Sequence, residues 1–136
     1  MSIIIVAASF HKDIAEEMIE AATLELEGRG KKVGVKKVAG CYEAPLVVER
    51  VMADKDTEAV VVLGYIEKGQ TMHGEVMGHV VHKALIDLQL KHSKPVGMGI
   101  IGPGATKEQA QARAKDYAAK AAKAALENLA IIKDEV

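Results

Sequence analysis

The sequence predicts an α/β fold in three layers, a four-stranded parallel sheet flanked by helices. Three observations carry this. Short apolar, β-branched runs alternate four times with stretches whose apolar residues recur at helical spacing. Polar junctions rich in glycine separate them. With 136 residues, 49% of them hydrophobic and 27% charged, the chain is long enough for one core, so 1–136 reads as a single domain. β-α units in series give parallel strands joined by right-handed crossovers.

Ile3 to Ala8 is the first strand. Asp13 to Glu27 is the first helix, with Ile14, Met18, Ala21, Ala22 and Leu24 or Leu26 along one side and Gly28 to Gly30 closing it. Val33 to Ala39 is the second strand, and after Gly40 a helix starts near Ala44, with Pro45 in its first turn, and runs to about Met52. Ala59 to Tyr65 is the third strand, followed by a helix from Gly74 to Leu90 on which Val76, Met77, Val80, Val81, Leu85 and Leu88 form the apolar stripe. Pro95 to Ile101 is the fourth strand, then a Gly102-Pro103-Gly104 turn. The last helix starts at Thr106, where T-x-x-Q with Gln109 is a capping box. If it runs to Lys133 it is about 40 Å long, more than so small a domain should need. Its alanine face (Ala118, Ala121, Ala122, Ala125 with Leu126 and Leu129) suits either the sheet or a neighbouring subunit, and an oligomer is favoured. Lys133-Asp134-Glu135 is expected to fray.

The loop Gly64-Tyr65-Ile66-Glu67-Lys68-Gly69-Gln70-Thr71-Met72-His73 is the most informative segment. It lies at the carboxyl end of a strand, the edge where open α/β sheets bind ligands. Thr71 is read as an N-cap, and the free N–H groups of the helix's first turn favour an anion such as phosphate. His73 either exchanges protons with whatever the loop holds or is simply an exposed histidine on a capped helix. Three other segments follow strands at the same edge: Ser9-Phe10-His11, Gly40-Cys41-Tyr42-Glu43-Ala44-Pro45, and the glycine turn leading to Arg113. Phe10 offers a face to a planar ring or closes the core. Glu43 offers a carboxylate to hydroxyls or balances the helix dipole. Arg113 presents a fork of donors to a phosphate or decorates a solvated face.

Other function classes find little support. With 18 basic and 19 acidic residues and a net charge of −1, there is no nucleic-acid footprint, and no apolar run of membrane-spanning length appears. The one cysteine, Cys41, cannot form an internal disulfide, so a reducing cytoplasm is expected. Its small apolar neighbours suggest packing rather than nucleophilic chemistry. Glu75, His79 and His82 share a helix face, but no HExxH order is present, and no dinucleotide or P-loop glycine pattern occurs.

Taken together, the segments ASFHKDI, AGCYEAPL, LGYIEKGQTMHGEV and PVGMGIIGPGATKEQAQARA resemble the lumazine synthases, especially their archaeal form, over nearly the whole chain. The resemblance implies a flavodoxin-like arrangement of four parallel strands, assembly into homopentamers or larger shells, and active sites between adjacent subunits. It implies condensation of 5-amino-6-(D-ribitylamino)uracil with 3,4-dihydroxy-2-butanone 4-phosphate, the penultimate step of riboflavin biosynthesis, with small-molecule substrates and neither cofactor nor metal. By position, Phe10 would stack on the pyrimidine and Tyr42 and Glu43 would hold the ribityl chain. Ile66 and Glu67 would contact the ring through their backbones. Gly69, Gln70 and Thr71 would cradle the phosphate with Arg113 as clamp, and His73 would relay protons. Met98 stands where bacterial members place an aromatic that reaches the neighbouring site. His11 stands where the family often has asparagine, and Tyr117 where many have lysine. The alternatives are a non-catalytic flavin-like binder or shell protein of the same fold, and the archaeal type of riboflavin synthase, whose loop usually lacks G-x-T-x-H.

Overall fold

The structure is a computed structural model and describes residues 1–134. Nine segments follow one another: β1 (Ser2–Ala8), α1 (Lys12–Gly28), β2 (Lys32–Val38), a 3-10 turn (Cys41–Glu43), α2 (Ala44–Met52), β3 (Thr57–Glu67), α3 (His73–His92), β4 (Val96–Ala105) and α4 (Lys107–Lys133). The strands form one sheet in the order β2-β1-β3-β4, parallel throughout. The expected three-layer fold is therefore observed.

Side-chain alternation divides the core in two. Ile3, Ile5 and Ala7 of β1 join Val61, Leu63 and Tyr65 of β3 under α1 and α4. Val6 and Ala8 join Val60 and Val62 under α2 and α3. β3 is central, and ten of its eleven residues are buried, as expected for a parallel strand covered on both faces.

α4 runs unbroken for 27 residues, about 40 Å. It starts at the capping box foreseen from the sequence: Thr106 Oγ1 accepts the Gln109 N–H at 3.2 Å and Gln109 Oε1 accepts the Thr106 N–H at 2.9 Å. The alanine face is used inside the chain. Ala114, Ala118, Ala121, Ala122 and Ala125 are all buried against the sheet and α1, so they offer nothing to a neighbour. The approach to β4 is close because Gly97 has no side chain: a Cβ there would lie 2.3 Å from the carbonyl oxygen of Ala121.

Two sequence expectations fail at the strand and helix ends. β4 does not stop at Ile101, because Gly102-Pro103-Gly104 continues it to Ala105. A register shift after Tyr65 pairs Glu67 with Ala105, and the Ala105 carbonyl accepts both the Lys68 N–H at 3.1 Å and the Tyr65 hydroxyl at 2.8 Å. Gly102 takes up the irregularity at φ +90°, where a Cβ would lie 2.3 Å from the Ile66 carbonyl oxygen. The end of α4 does not fray at Lys133, which remains helical. Its ammonium pairs with Glu58, a nearly buried carboxylate that also faces Lys31 at 3.6 Å. Glu135 lies outside the described residues.

Burial alone would raise the Glu58 carboxyl, but Lys133 and Lys31 outweigh it and hold the group below its ordinary 4.5. A lowered folded-state value means that the ionised group stabilises the fold above the ordinary value and loses that contribution as pH falls through the folded one. Glu58→Gln is therefore expected to be less stable than the parent near neutrality, with the two stabilities converging in acid. A gap independent of pH in denaturant titrations would contradict this. Gly97→Ala should cost about 1–3 kcal/mol through overpacking, read as a lower denaturation midpoint with an unchanged slope.

Candidate active site

β1 connects first to β2 on one side and the chain then returns to β3 on the other, so the strand order reverses between β1 and β3. Loops leaving such a pair diverge and open a crevice at the carboxyl edge. A cavity of about 410 Å³ occupies that place. Its lining comes from the end of β1 (Ala8, Phe10, His11), the segment after β2 (Ala39, Gly40, Cys41, Glu43), the end of β3 (Tyr65, Ile66, Glu67) and the loop into α3 (Gly69, Thr71, His73, Gly74, Met77).

Local bonding sets each wall. Ser9 is clamped to the end of β2, its N–H at 2.8 Å and its hydroxyl at 3.0 Å from the Val38 carbonyl oxygen. This fixes Phe10 at the rim, 77% exposed, so it presents a face to solvent and does not close the core. After β2 the 3-10 turn forms with the Glu43 N–H donating to the Gly40 carbonyl at 3.1 Å. Glu43 occupies the N-cap of α2 but makes no side-chain cap bond, and its exposed carboxylate lines the cavity.

The loop before α3 departs from expectation in one respect. Met72, not Thr71, is the N-cap, and it supplies no side-chain cap bond. Thr71 sits one residue earlier, and its hydroxyl accepts the His73 N–H at 3.3 Å. The short hydroxyl thus reaches forward two residues, as threonine does in turns. The Gly74 and Glu75 N–H groups stand in the first turn of α3, where an intrahelical partner is lacking and the dipole favours an anion. His73 is exposed on that turn and meets the Tyr42 ring at 6.0 Å between centroids. Tyr42 touches the site through His73 and is not itself a wall.

Cys41 is 4% exposed, and burial, with a further push from Glu43, raises its thiol to about 11. A Cβ on Gly64 would come within 2.9 Å of its sulfur, so the thiol fills space beneath the strand. Burial, then the Glu67 carboxylate, also raises Tyr65, which stays a neutral hydrogen-bond donor to Ala105. His82 is engaged with its own helix, its Nδ1 donating to the Gly78 carbonyl at 2.6 Å. Among the described residues no three His, Cys, Asp or Glu side chains gather as a metal-binding group.

Phe10, Glu43, Ile66, Glu67, Gly69, Thr71 and His73 are thus brought together within one chain. Gln70 is an exposed residue of the same loop but not a wall. Met98 and Arg113 are elsewhere. Met98 pairs in register with Val62, in mid-sheet on the β4 edge, and is half-buried against the α2–α3 side. Arg113 is exposed on α4 and lines a separate hollow of about 380 Å³ with Gly102, Pro103, Gly104, Gln109 and Tyr117. The glycine segment that was expected to turn toward the histidine loop continues β4 instead, which leaves Arg113 on the far side of that strand end. Sequence reasoning missed Tyr65 and Met77 as walls. Met77 is four residues past His73, hence on the same helix face, and Tyr65 is the one aromatic of a buried strand.

A crevice at a switch point, carrying an exposed aromatic, a carboxylate, free helix N–H groups and an imidazole, defines an α/β protein built to bind and transform a small polar molecule. The profile described as 6,7-dimethyl-8-ribityllumazine synthase matches residues 1–133. Relatives of that name are found in Metallosphaera sedula, 41% identical over 123 residues (90% of this chain, 82% of the relative), and in Staphylothermus marinus, 40% identical over 121 residues (88% and 81%). Another, from Pyrobaculum arsenaticum, is 35% identical over 125 residues (91% and 83%). The chain belongs to the 6,7-dimethyl-8-ribityllumazine synthase family. No helix among the described residues is long and apolar enough to cross a membrane.

If Cys41 serves packing alone, alkylation by iodoacetamide at pH 8 should be negligible in the folded protein and rapid after denaturation. Fast labelling of the native state would show an accessible thiolate and contradict the burial argument.

Proposed function

We propose that this chain, folded as one domain, condenses 5-amino-6-(D-ribitylamino)uracil with 3,4-dihydroxy-2-butanone 4-phosphate in the cytoplasm, forming 6,7-dimethyl-8-ribityllumazine with loss of phosphate and water. The observation that carries this reading is the convergence of Phe10, Glu43, Thr71 and His73 on one cavity at the switch point, together with membership of the family.

Each wall has a part in the chemistry. The exposed ring of Phe10 stacks on the pyrimidine, and the backbone at Ile66 and Glu67, at the end of the most buried strand, meets the ring's polar edge. Glu43 accepts hydrogen bonds from ribityl hydroxyls, with Tyr42 beside it. Gly69, Gln70 and Thr71, with the first-turn N–H groups of α3, receive the phosphate. The amine is already a nucleophile and phosphate a fair leaving group, so positioning and proton transfer supply most of the rate. His73, on the turn that holds the phosphate, moves protons during imine formation, phosphate elimination and ring closure.

Arg113 lies in its own hollow and not beside Thr71. The reading that reconciles its role as phosphate clamp with this position is an assembly, a homopentamer or higher, in which Arg113 of one subunit completes the cavity of the next. The same assembly is the reading for Met98, which is half-buried on the edge strand β4 and is not a wall of this chain's own cavity.

The test is the absorbance of the lumazine product against the slow spontaneous reaction. The parent protein should accelerate it. Arg113→Ala should raise KM for the phosphorylated substrate roughly tenfold or more, as loss of a charge-assisted contact does. His73→Ala should lower kcat by about 10²-fold or more with little change in KM. No acceleration by the parent would refute the reading; unchanged kinetics in both variants would refute the assigned roles.

A further inference from the structure

His11 has no role in the scheme above. It stands at the N-cap of α1, where serine, threonine, aspartate or asparagine would bond the free N–H groups of the first turn. Its side chain makes no such bond. The helix uses only its carbonyl, which accepts the Ala15 N–H at 2.9 Å. The half-buried imidazole lines the main cavity instead. It lies against Tyr65, with ring centroids 4.6 Å apart and planes tilted by 46°. It meets Phe10 nearly at a right angle, 5.0 Å between centroids and 76° between planes.

Of these two rings Tyr65 is anchored, and Phe10 is held at the level of its backbone segment. Tyr65 is buried with its hydroxyl bonded to Ala105, and the segment carrying Phe10 is clamped through Ser9 to β2. The imidazole therefore rests against the buried Tyr65 ring on the cavity wall, a contact that limits the rotamer freedom it would lose on binding. A planar ring stacked on Phe10 would lie nearly perpendicular to the imidazole, an arrangement compatible with a hydrogen bond from one of its nitrogens to that ring's rim. The rim of a uracil alternates carbonyls and N–H groups, and a neutral imidazole carries one donor and one acceptor.

We propose that His11 is a substrate-positioning residue whose ring nitrogen hydrogen-bonds a polar group on the rim of the pyrimidine stacked on Phe10. The inference rests on the synthase reading. Its specific consequence is selectivity between the two substrates: His11 acts on the pyrimidine and leaves the butanone phosphate, held by the loop before α3, untouched.

Four variants separate hydrogen bonding from packing. His11→Leu keeps bulk against Tyr65 and removes both nitrogens. His11→Ser suits the helix cap but cannot reach the rim, and it serves if the leucine variant fails to fold by circular dichroism. His11→Gln and His11→Asn carry an amide to about the positions of Nε2 and Nδ1. Initial rates of lumazine formation would be measured with each substrate varied in turn. Leu and Ser should raise KM for ribitylaminouracil about 3- to 10-fold, the worth of one neutral hydrogen bond, with KM for the butanone phosphate unchanged. At least one of Gln and Asn should restore the parent value. An unchanged pyrimidine KM in Leu or Ser would overturn the proposal, as would equal losses in all four variants or a parallel rise for both substrates. In each of those cases acceleration by the parent protein leaves the synthase reading standing. No acceleration by the parent overturns both.

Discussion

The need to cover β3 on both faces governs this molecule. Ten consecutive buried residues, Thr57 to Ile66, form a strand that can exist only with a layer of helices above and below it, because parallel sheets expose neither face to water. α1 and α4 supply one layer and α2 and α3 the other. With both faces filled, the open surface left to β3 is its carboxyl end, and there the chain leaves the sheet as Glu67, the first exposed residue after that run. The polar loop and the first turn of α3 are delivered to the crevice beside β1 as a result. The site is thus a consequence of how the core is closed.

The same closure divides the chemistry between two places. The face carrying α3 holds the loop, the helix N–H groups and His73, while the arginine sits on α4, the longest helix, across the end of β4. β4 passes through Gly102 and Gly104, which take φ of +90° and +98°, on its way to Ala105. As built, the loop proposed to receive the phosphate and its proposed cationic clamp face different hollows. In the proposed assembly the contact between subunits would join them, and it would also withdraw the phosphate from water, where an arginine–phosphate contact is strongest.

Much of this was legible in the sequence, and the failures have a common cause. β1, α2 and the capping box of α4 were read to within a residue, because apolar spacing, Pro45 in a first turn and T-x-x-Q are local signals whose causes lie within a few residues. Gly102-Pro103-Gly104 looks like a turn in sequence because nothing local reveals that Ala105 receives hydrogen bonds from Tyr65 and Lys68. Lys133 looks like a frayed end in sequence because its partner, Glu58, is 75 residues away. The candidate site followed the same rule. Residues next to a strand end, such as Phe10, Glu43 and His73, converge because the topology of a parallel sheet guarantees it. Arg113 joins them by the same strand-end argument only if Gly102-Pro103-Gly104 turns, which it does not, and Met98 joins them on the resemblance alone, which carries roles but not which subunit supplies each residue.

The central claim is that the site is shared between copies of the chain, and mixing two defective proteins tests it most directly. His73→Ala and Arg113→Ala, unfolded together in equal amounts and reassembled, produce interfaces in which an intact cavity meets an intact arginine about one time in four. At butanone phosphate well below the parental KM, where both variants are weakly active, the account predicts recovery of about a quarter of parental lumazine-forming activity, with neither variant recovering when reassembled alone. Failure of the mixture to exceed the mean of its two components, with hybrid oligomers demonstrably formed, would place both residues in one chain's site and contradict the account.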